Sequence, residues 1–164
     1  MQYILDLASS LPEELAVVLL SLTPFAELRF SIPFAIKVFG FSPLQAIFWS
    51  TLGDIIPAIV IVYYLGPISR FFMKRSKLAT RFFQRLFKKT RQRFDEDYVT
   101  LGKFALLVFV AMPLPGFGAW SGAILAWLFA MRKSEAVLFI FLGVLISAFL
   151  IAGLSLGFFT LFKF

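Results

Sequence analysis

The sequence predicts an all-α integral membrane protein built as an inverted-topology repeat. Each half is a Pro-broken re-entrant helical hairpin followed by a spanning helix, and a basic amphipathic interfacial helix joins the halves. Three observations predict this. Of 164 residues, 60% are hydrophobic and only 15% charged, against about a quarter charged in ordinary soluble domains. The apolar residues gather into four blocks of a length that matters in lipid. Ten of the 16 Lys and Arg lie between Arg70 and Arg93, between the second and third blocks.

The first block runs from Leu11 to Phe39. Ser9-Ser10-Leu11-Pro12-Glu13-Glu14 reads as a helix start, with a Ser cap, Pro in the first turn and acids near the positive end of the dipole. Pro24 cuts the block near its middle. Each part is about a dozen residues, or about 18 Å of helix, whereas a crossing needs about 20 residues. The block is therefore either one kinked span or a hairpin that enters the bilayer and returns. The second block, Pro43 to Leu65, is long enough to span and carries Asp54 and Pro57 near its centre; Gly66-Pro67 is expected to end it.

From Arg70 to Phe94 the wheel separates two faces. Phe71, Phe72, Leu78, Ala79, Phe82, Phe83, Leu86 and Phe87 share one, and Arg70, Lys74, Lys77, Arg81, Arg85 and Lys88 share the other. Arg75 and Lys89 break the pattern. This predicts a helix lying in the interface with its basic groups near anionic headgroups; a plain topology determinant has the same pattern. Nucleic acid is the less fitting partner for a basic run beside apolar spans. Asp95-Glu96-Asp97 reads as a solvated turn, because three adjacent acids do not converge on one metal ion.

The third block, Val99 to Met131, is broken at Met112-Pro113-Leu114-Pro115-Gly116 and followed by Arg132-Lys133. The fourth, Glu135 to Phe162, spans, and its Gly143, Ser147, Gly153 and Gly157 permit close helix approach. A shift of 90 residues places Ala46 on Ala136 and Gly53 on Gly143, and brings the two broken blocks into register. If the broken blocks are hairpins, both basic segments fall on one side of the membrane; if they cross, Arg132-Lys133 is stranded on the other. The positive-inside rule selects hairpins, a cytoplasmic connector, and N- and C-termini outside. The chain then reads as a single membrane domain over 1–164, with repeat one at 11–66, the connector at 67–98 and repeat two at 99–162. The expected hairpin-break residues are Pro24, Pro33, Pro57, Pro113, Pro115, Gly116, Gly118 and Gly122. Paired discontinuous helices of this kind place a binding site at their breaks; simple kinks in lipid-facing helices are the competing reading.

Composition excludes much chemistry. With no Cys and no His, the chain lacks a thiolate nucleophile and the commonest general base and metal ligand. A His-dependent intramembrane protease or phosphatase is excluded, and too few carboxylates remain for a metal-dependent transferase. No enzyme, cofactor or metal is expected. Met1 to Asp6 has no basic n-region, so no cleavable signal peptide is expected. Intramembrane charges are costly and mark function by default. Glu27, Arg29 and Asp54 qualify, whereas Lys37 sits at a block end and can snorkel. Asp54 at mid-span needs a partner or a proton. Arg29 is expected to pair with Glu27 or Asp54, either in a proton-exchanging site or in an ion pair that only fixes the hairpin. In the second half, Trp120 and Ser121 are candidates to line a path, with hairpin packing as the alternative.

Glu27-Leu28-Arg29-Phe30-Ser31-Ile32-Pro33, Gly53-Asp54-Ile55-Ile56-Pro57 and Pro113-Leu114-Pro115-Gly116-Phe117-Gly118-Ala119-Trp120-Ser121-Gly122-Ala123, in this order and spacing, resemble the small multidrug export protein family of prokaryotes, itself distantly similar to the DedA superfamily. The resemblance departs at Asp54, where the family often has Asn, which moves weight toward Glu27 and Arg29. It implies inverted re-entrant hairpins in the prokaryotic inner membrane and a transporter of a small amphiphile or lipid-like substrate, proton-coupled in its fullest form. The alternative it implies is a DedA-like lipid flippase or scramblase without energy coupling. Membrane lipids, and a second copy of so small a bundle, are the partners this reading admits.

Overall fold

The computed structural model describes residues 12–75, 80–81, 96–114 and 116–162. Every element among them is a helix: α1 (Glu13–Ser21), α2 (Glu27–Val38), α3 (Pro43–Arg75), α4 (Glu96–Ala111), α5 (Ala119–Leu128) and α6 (Lys133–Phe162). Two are long and apolar enough to cross a membrane, α3 and the Lys133–Gly157 portion of α6. At about 1.5 Å per residue, the 33 residues of α3 reach about 50 Å, well beyond a hydrocarbon core of about 30 Å. The 9 residues of α1 and the 12 of α2 each fall short of it. So do the 10 residues of α5.

The chain divides into two compact units, Met1–Ile56 with Val144–Phe164, and Pro57–Gly143. In the first, α1 packs against α2 across a turn holding Thr23 and Pro24. The Thr23 hydroxyl closes that turn, donating to the Leu20 carbonyl at 2.9 Å and accepting from the Ala26 N–H at 3.4 Å. Gly53 of α3 lies so close to α1 that a Cβ there would overlap the Val18 carbonyl oxygen and stand 2.9 Å from the Ser21 Cβ. In the second unit α4 packs against α5, and Gly143 meets α4 in the same manner, 2.9 Å from the Leu107 oxygen and 2.8 Å from the Val110 Cβ. Gly122 of α5 is also a contact glycine, since its Cβ would overlap Val110 Cγ2.

Helix boundaries follow local chemistry. Ser42 and Gln45 form a capping box at the start of α3: the Ser42 N–H donates to Gln45 Oε1 at 3.0 Å and the Gln45 N–H to Ser42 Oγ at 3.3 Å, with Pro43 in the first helical position. α2 ends through Phe39 into a left-handed Gly40 (φ 66), and α5 through Phe129 into a left-handed Ala130 (φ 52). The ends of α1 and α4 (Ser21, Ala111), the ends of α2 and α5 (Val38, Leu128) and the starts of α3 and α6 (Pro43, Lys133) are each 90 positions apart.

Several boundaries differ from those expected. Gly66-Pro67 does not end the second block, because α3 runs on to Arg75. Pro67 has no N–H for the Tyr63 carbonyl four residues back, and the Lys133 ammonium donates to that oxygen instead, at 3.3 Å. Pro33 and Pro57, expected at breaks, lie inside α2 and α3, and Gly122 lies inside α5. Proline is tolerated in apolar helices where neighbours resatisfy the freed carbonyl, and Gly122 serves packing rather than bending. Pro24, Pro113, Gly116 and Gly118 do lie between helices or at a helix start, and Gly116 has the left-handed φ of 84 that glycine allows. Pro115 lies outside the described residues.

Of the expected interfacial helix, residues 70–75 form the end of α3, Thr80 and Arg81 are helical, and Lys77, Arg85 and Lys88 lie outside the described residues. Arg70, Lys74 and Arg81 are exposed. Arg75, out of register on the wheel, holds its guanidinium 4.5 Å from the Phe71 ring centre, a cation–π contact one turn apart. Large apolar side chains such as Phe25, Leu44, Leu101 and Leu154 face outward, as a lipid-solvated surface requires and a water-solvated one avoids.

Candidate functional site

The first unit encloses a polar cluster inside an apolar shell. α3 carries an i+4 ladder of buried positions, Ala46, Ser50, Asp54, Ala58 and Val62, with Thr51 beside it. Asp54 is 1% exposed and Ser50 fully buried. On α2, Glu27 and Ser31 are one turn apart on one face and both buried. Glu27 and Arg29 both lie within electrostatic reach of Asp54, so the three charges singled out from sequence come together. Arg29 Nη2 lies 3.7 Å from Glu27 Oε2, an ion pair longer than a good hydrogen bond.

The cluster is under-satisfied. Asp54 Oδ1 and the hydroxyls of Ser31, Ser50 and Thr51 are buried without a hydrogen-bond partner. Buried polar atoms are nearly always paired, and an unpaired one calls for a water, an ion or a chemical role. Two other helical serines satisfy themselves: Ser69 donates to the Gly66 carbonyl at 2.8 Å and Ser155 to the Ile151 carbonyl at 2.7 Å. Ser21 donates to the Ser50 carbonyl at 2.6 Å and so ties α1 to α3 beside the cluster.

Glu27 carries a second mark. Its φ is +42, a left-handed conformation that costs a non-glycine residue about 1–2 kcal/mol. A buried carboxylate held in a disfavoured backbone region is a feature that clusters at functional sites. Lys37 lies exposed in the last turn of α2, outside this cluster.

The second-half candidates are placed differently. The Ser121 hydroxyl is engaged at the start of α5, accepting from the Gly118 N–H at 3.1 Å and donating to the Gly118 carbonyl at 3.2 Å. Trp120 Nε1 is buried without a partner. The buried hydroxyls of Ser21, Ser31, Ser50 and Thr51 were not among the residues singled out from sequence. The signal for two of them was present, because Ser50 and Thr51 precede Asp54 by four and three positions and so share its face.

Short packed helices beside two long and apolar enough to cross a bilayer, an apolar exterior and a buried charged cluster define a helical membrane protein. The chain belongs to the small multi-drug export family: the family model described as "Putative small multi-drug export protein" matches residues 27–150. Among curated proteins and among solved structures nothing matches. The matched span includes Glu27, Arg29, Asp54 and the whole α4–α5 pair.

Proposed function

We propose that the protein exports small amphiphilic molecules and couples export to an ion through Asp54, Glu27 and Arg29. One observation carries this reading: Asp54 is 1% exposed about a third of the way along a helix long enough to span, with a carboxyl oxygen that no protein group satisfies. Such a group is costly to hold in a membrane protein and is retained where its charge changes during a cycle. Exchange of a proton on Asp54, with Arg29 shared between Asp54 and Glu27, changes the charge of the cluster by one. That is enough to bias two arrangements of a short helical pair.

The membrane topology in this reading is a re-entrant pair in each half. Support comes from the lengths of α1, α2 and α5, each too short to cross, from the packing of α1 on α2 and of α4 on α5, and from helix boundaries that repeat at 90 positions. The halves then insert from opposite faces of the prokaryotic inner membrane, with the basic connector cytoplasmic and both termini outside. Arg70, Lys74 and Arg81 meet anionic headgroups there.

The test is efflux of a fluorescent amphiphilic cation such as ethidium from proteoliposomes under an imposed pH gradient. The wild type is expected to respond to the gradient, and Asp54→Asn to lose at least nine-tenths of the rate while keeping its helical circular dichroism and elution volume. Wild-type efflux from Asp54→Asn would remove the coupling role. Fast lipid scrambling without any gradient, undiminished in that variant, would replace the exporter by a passive lipid path.

A further inference from the structure

We infer that Asp54, Thr51 and Ser50 of α3 form a binding site for a monovalent metal cation, Na+, at the place where the proposed cycle exchanges a proton. The role of the ion rests on the exporter reading; the binding itself does not.

Three observations converge. First, Asp54 Oδ1, Thr51 Oγ1 and Ser50 Oγ are all buried and all lack a hydrogen-bond partner, with the residues 1%, 5% and 0% exposed. At 100° per residue these three fall within one 100° arc of the helix, so their oxygens leave α3 on one side. Neither hydroxyl takes the usual route of bonding back to its own helix, which Ser69 and Ser155 do take. Second, Pro57 stands four residues after Gly53 inside α3. It has no N–H to give, so the carbonyl next to Asp54 loses its helical donor. Cation sites in transporters draw on backbone carbonyls released in this way. Third, with Glu27 paired to Arg29 at 3.7 Å, an ionised Asp54 brings the three charges to one net negative.

This donor set is all oxygen and carries one negative charge. Hard oxygen ligands select alkali and alkaline-earth cations over transition metals. Ca2+ sites draw on several carboxylates, and Mg2+ keeps waters and substrate phosphates rather than an all-protein cage; no group of three His, Cys, Asp or Glu able to hold a metal occurs among the described residues. A monovalent ion balances Asp54 without leaving charge in the apolar shell. The set is small, which favours Na+ over the larger K+. Ser31 of α2 carries the other unpartnered buried hydroxyl of this unit. Na+ and a proton satisfy the same carboxylate, so each displaces the other.

The experiment is binding of radioactive Na+ to the purified full-length chain in detergent micelles, with choline chloride holding ionic strength constant. Thermal unfolding in NaCl, KCl and choline chloride runs beside it. Saturable Na+ binding near one ion per chain is expected, with a rise in unfolding temperature in NaCl that KCl does not reproduce. Thr51→Val, nearly isosteric, should weaken Na+ binding about tenfold or more, Thr51→Ser should restore it, and Asp54→Asn should abolish it. Equal unfolding temperatures in the three salts with no bound Na+ would overturn the site and assign the unpartnered oxygens to water. Na+ binding unchanged in Thr51→Val and Asp54→Asn would place the ion elsewhere and overturn it equally. Efflux driven by a pH gradient with no Na+ binding refutes the cation site and leaves the exporter standing. Na+ binding without efflux does the reverse.

Discussion

Glu27 allows a test whose sign, and not only its size, is set by the backbone. Its φ of +42 lies in the left-handed region, where a Cβ costs about 1–2 kcal/mol and glycine pays no such penalty. The perturbation is a pair of variants, Glu27→Ala and Glu27→Gly. Both delete the carboxylate that faces Arg29 at 3.7 Å, so loss of the ion pair cancels between them. What differs is the Cβ. Gly should therefore be more stable than Ala at this position by about 1 kcal/mol, once the greater entropy of the unfolded glycine chain is set against the relieved strain. At Ala35, in regular helix two turns further along α2, the order reverses, and Ala35→Gly should cost about 1 kcal/mol. Equilibrium unfolding of the purified chain by SDS in mixed micelles measures both differences. Equal stability of the two Glu27 variants, or Ala above Gly, would refute the left-handed assignment and with it the view that Glu27 is kept at a cost for its chemistry. Neither variant should export.

The two contact glycines are expected to resist enlargement. Gly53→Ala meets the Val18 backbone and Gly143→Ala the Leu107 oxygen and Val110, so each should lose about 1–3 kcal/mol, whereas Gly153→Ala, with nothing within 4 Å, should be neutral or gain up to about 1 kcal/mol; the same SDS titration reads all three, and an unaffected Gly53→Ala would show that α1 does not rest on α3 there. The combined Thr51→Val and Asp54→Val variant removes two unpartnered buried polar groups in nearly constant volume and should unfold later than the wild type by about 1–3 kcal/mol while losing export. A loss of stability in that variant would mean that the polar cluster holds the unit together.

The architecture was legible in the sequence where it depends on length and interruption. Pro24 and Pro113 lie in breaks because both sit in blocks too short on either side to span, and lipid leaves no other place for exposed backbone. Pro67 misled, since its effect on α3 is cancelled by Lys133, a residue 66 positions away that donates to the Tyr63 carbonyl. No local reading supplies such a partner. The charges of the site were legible for the same reason as the breaks: Glu27, Arg29 and Asp54 are expensive in an apolar block, so their presence is informative. Spacing put Ser50 and Thr51 on the face of Asp54, but their open hydroxyls were not legible, because a serine or threonine in an apolar helix ordinarily bonds back to its own carbonyls. Only the folded structure distinguishes Ser155, which does so, from Ser50, which does not. Ser121 shows the converse. Beside Trp120 it is a candidate to line a path, and the bonds of its hydroxyl to Gly118 at the start of α5 are a local role that its residue type does not announce.

The spanning helices themselves argue that the polar cluster is functional rather than architectural. The buried ladder of α3, Ala46, Ser50, Asp54, Ala58 and Val62, has a counterpart 90 positions on in α6: Ala136, Ile140, Val144, Ala148 and Ala152. All ten residues are buried, and both glycine contacts recur at the same place. A spanning helix packed through this ladder therefore forms with Ile and Val where α3 has Ser and Asp. Burial of unpartnered polar groups costs stability, and α6 avoids that cost with the same spacing and the same small residues around it. At Ser50 and Asp54 the first half departs from a cheaper solution that the second half displays in Ile140 and Val144. Packing does not ask for those departures; the proposed ion would.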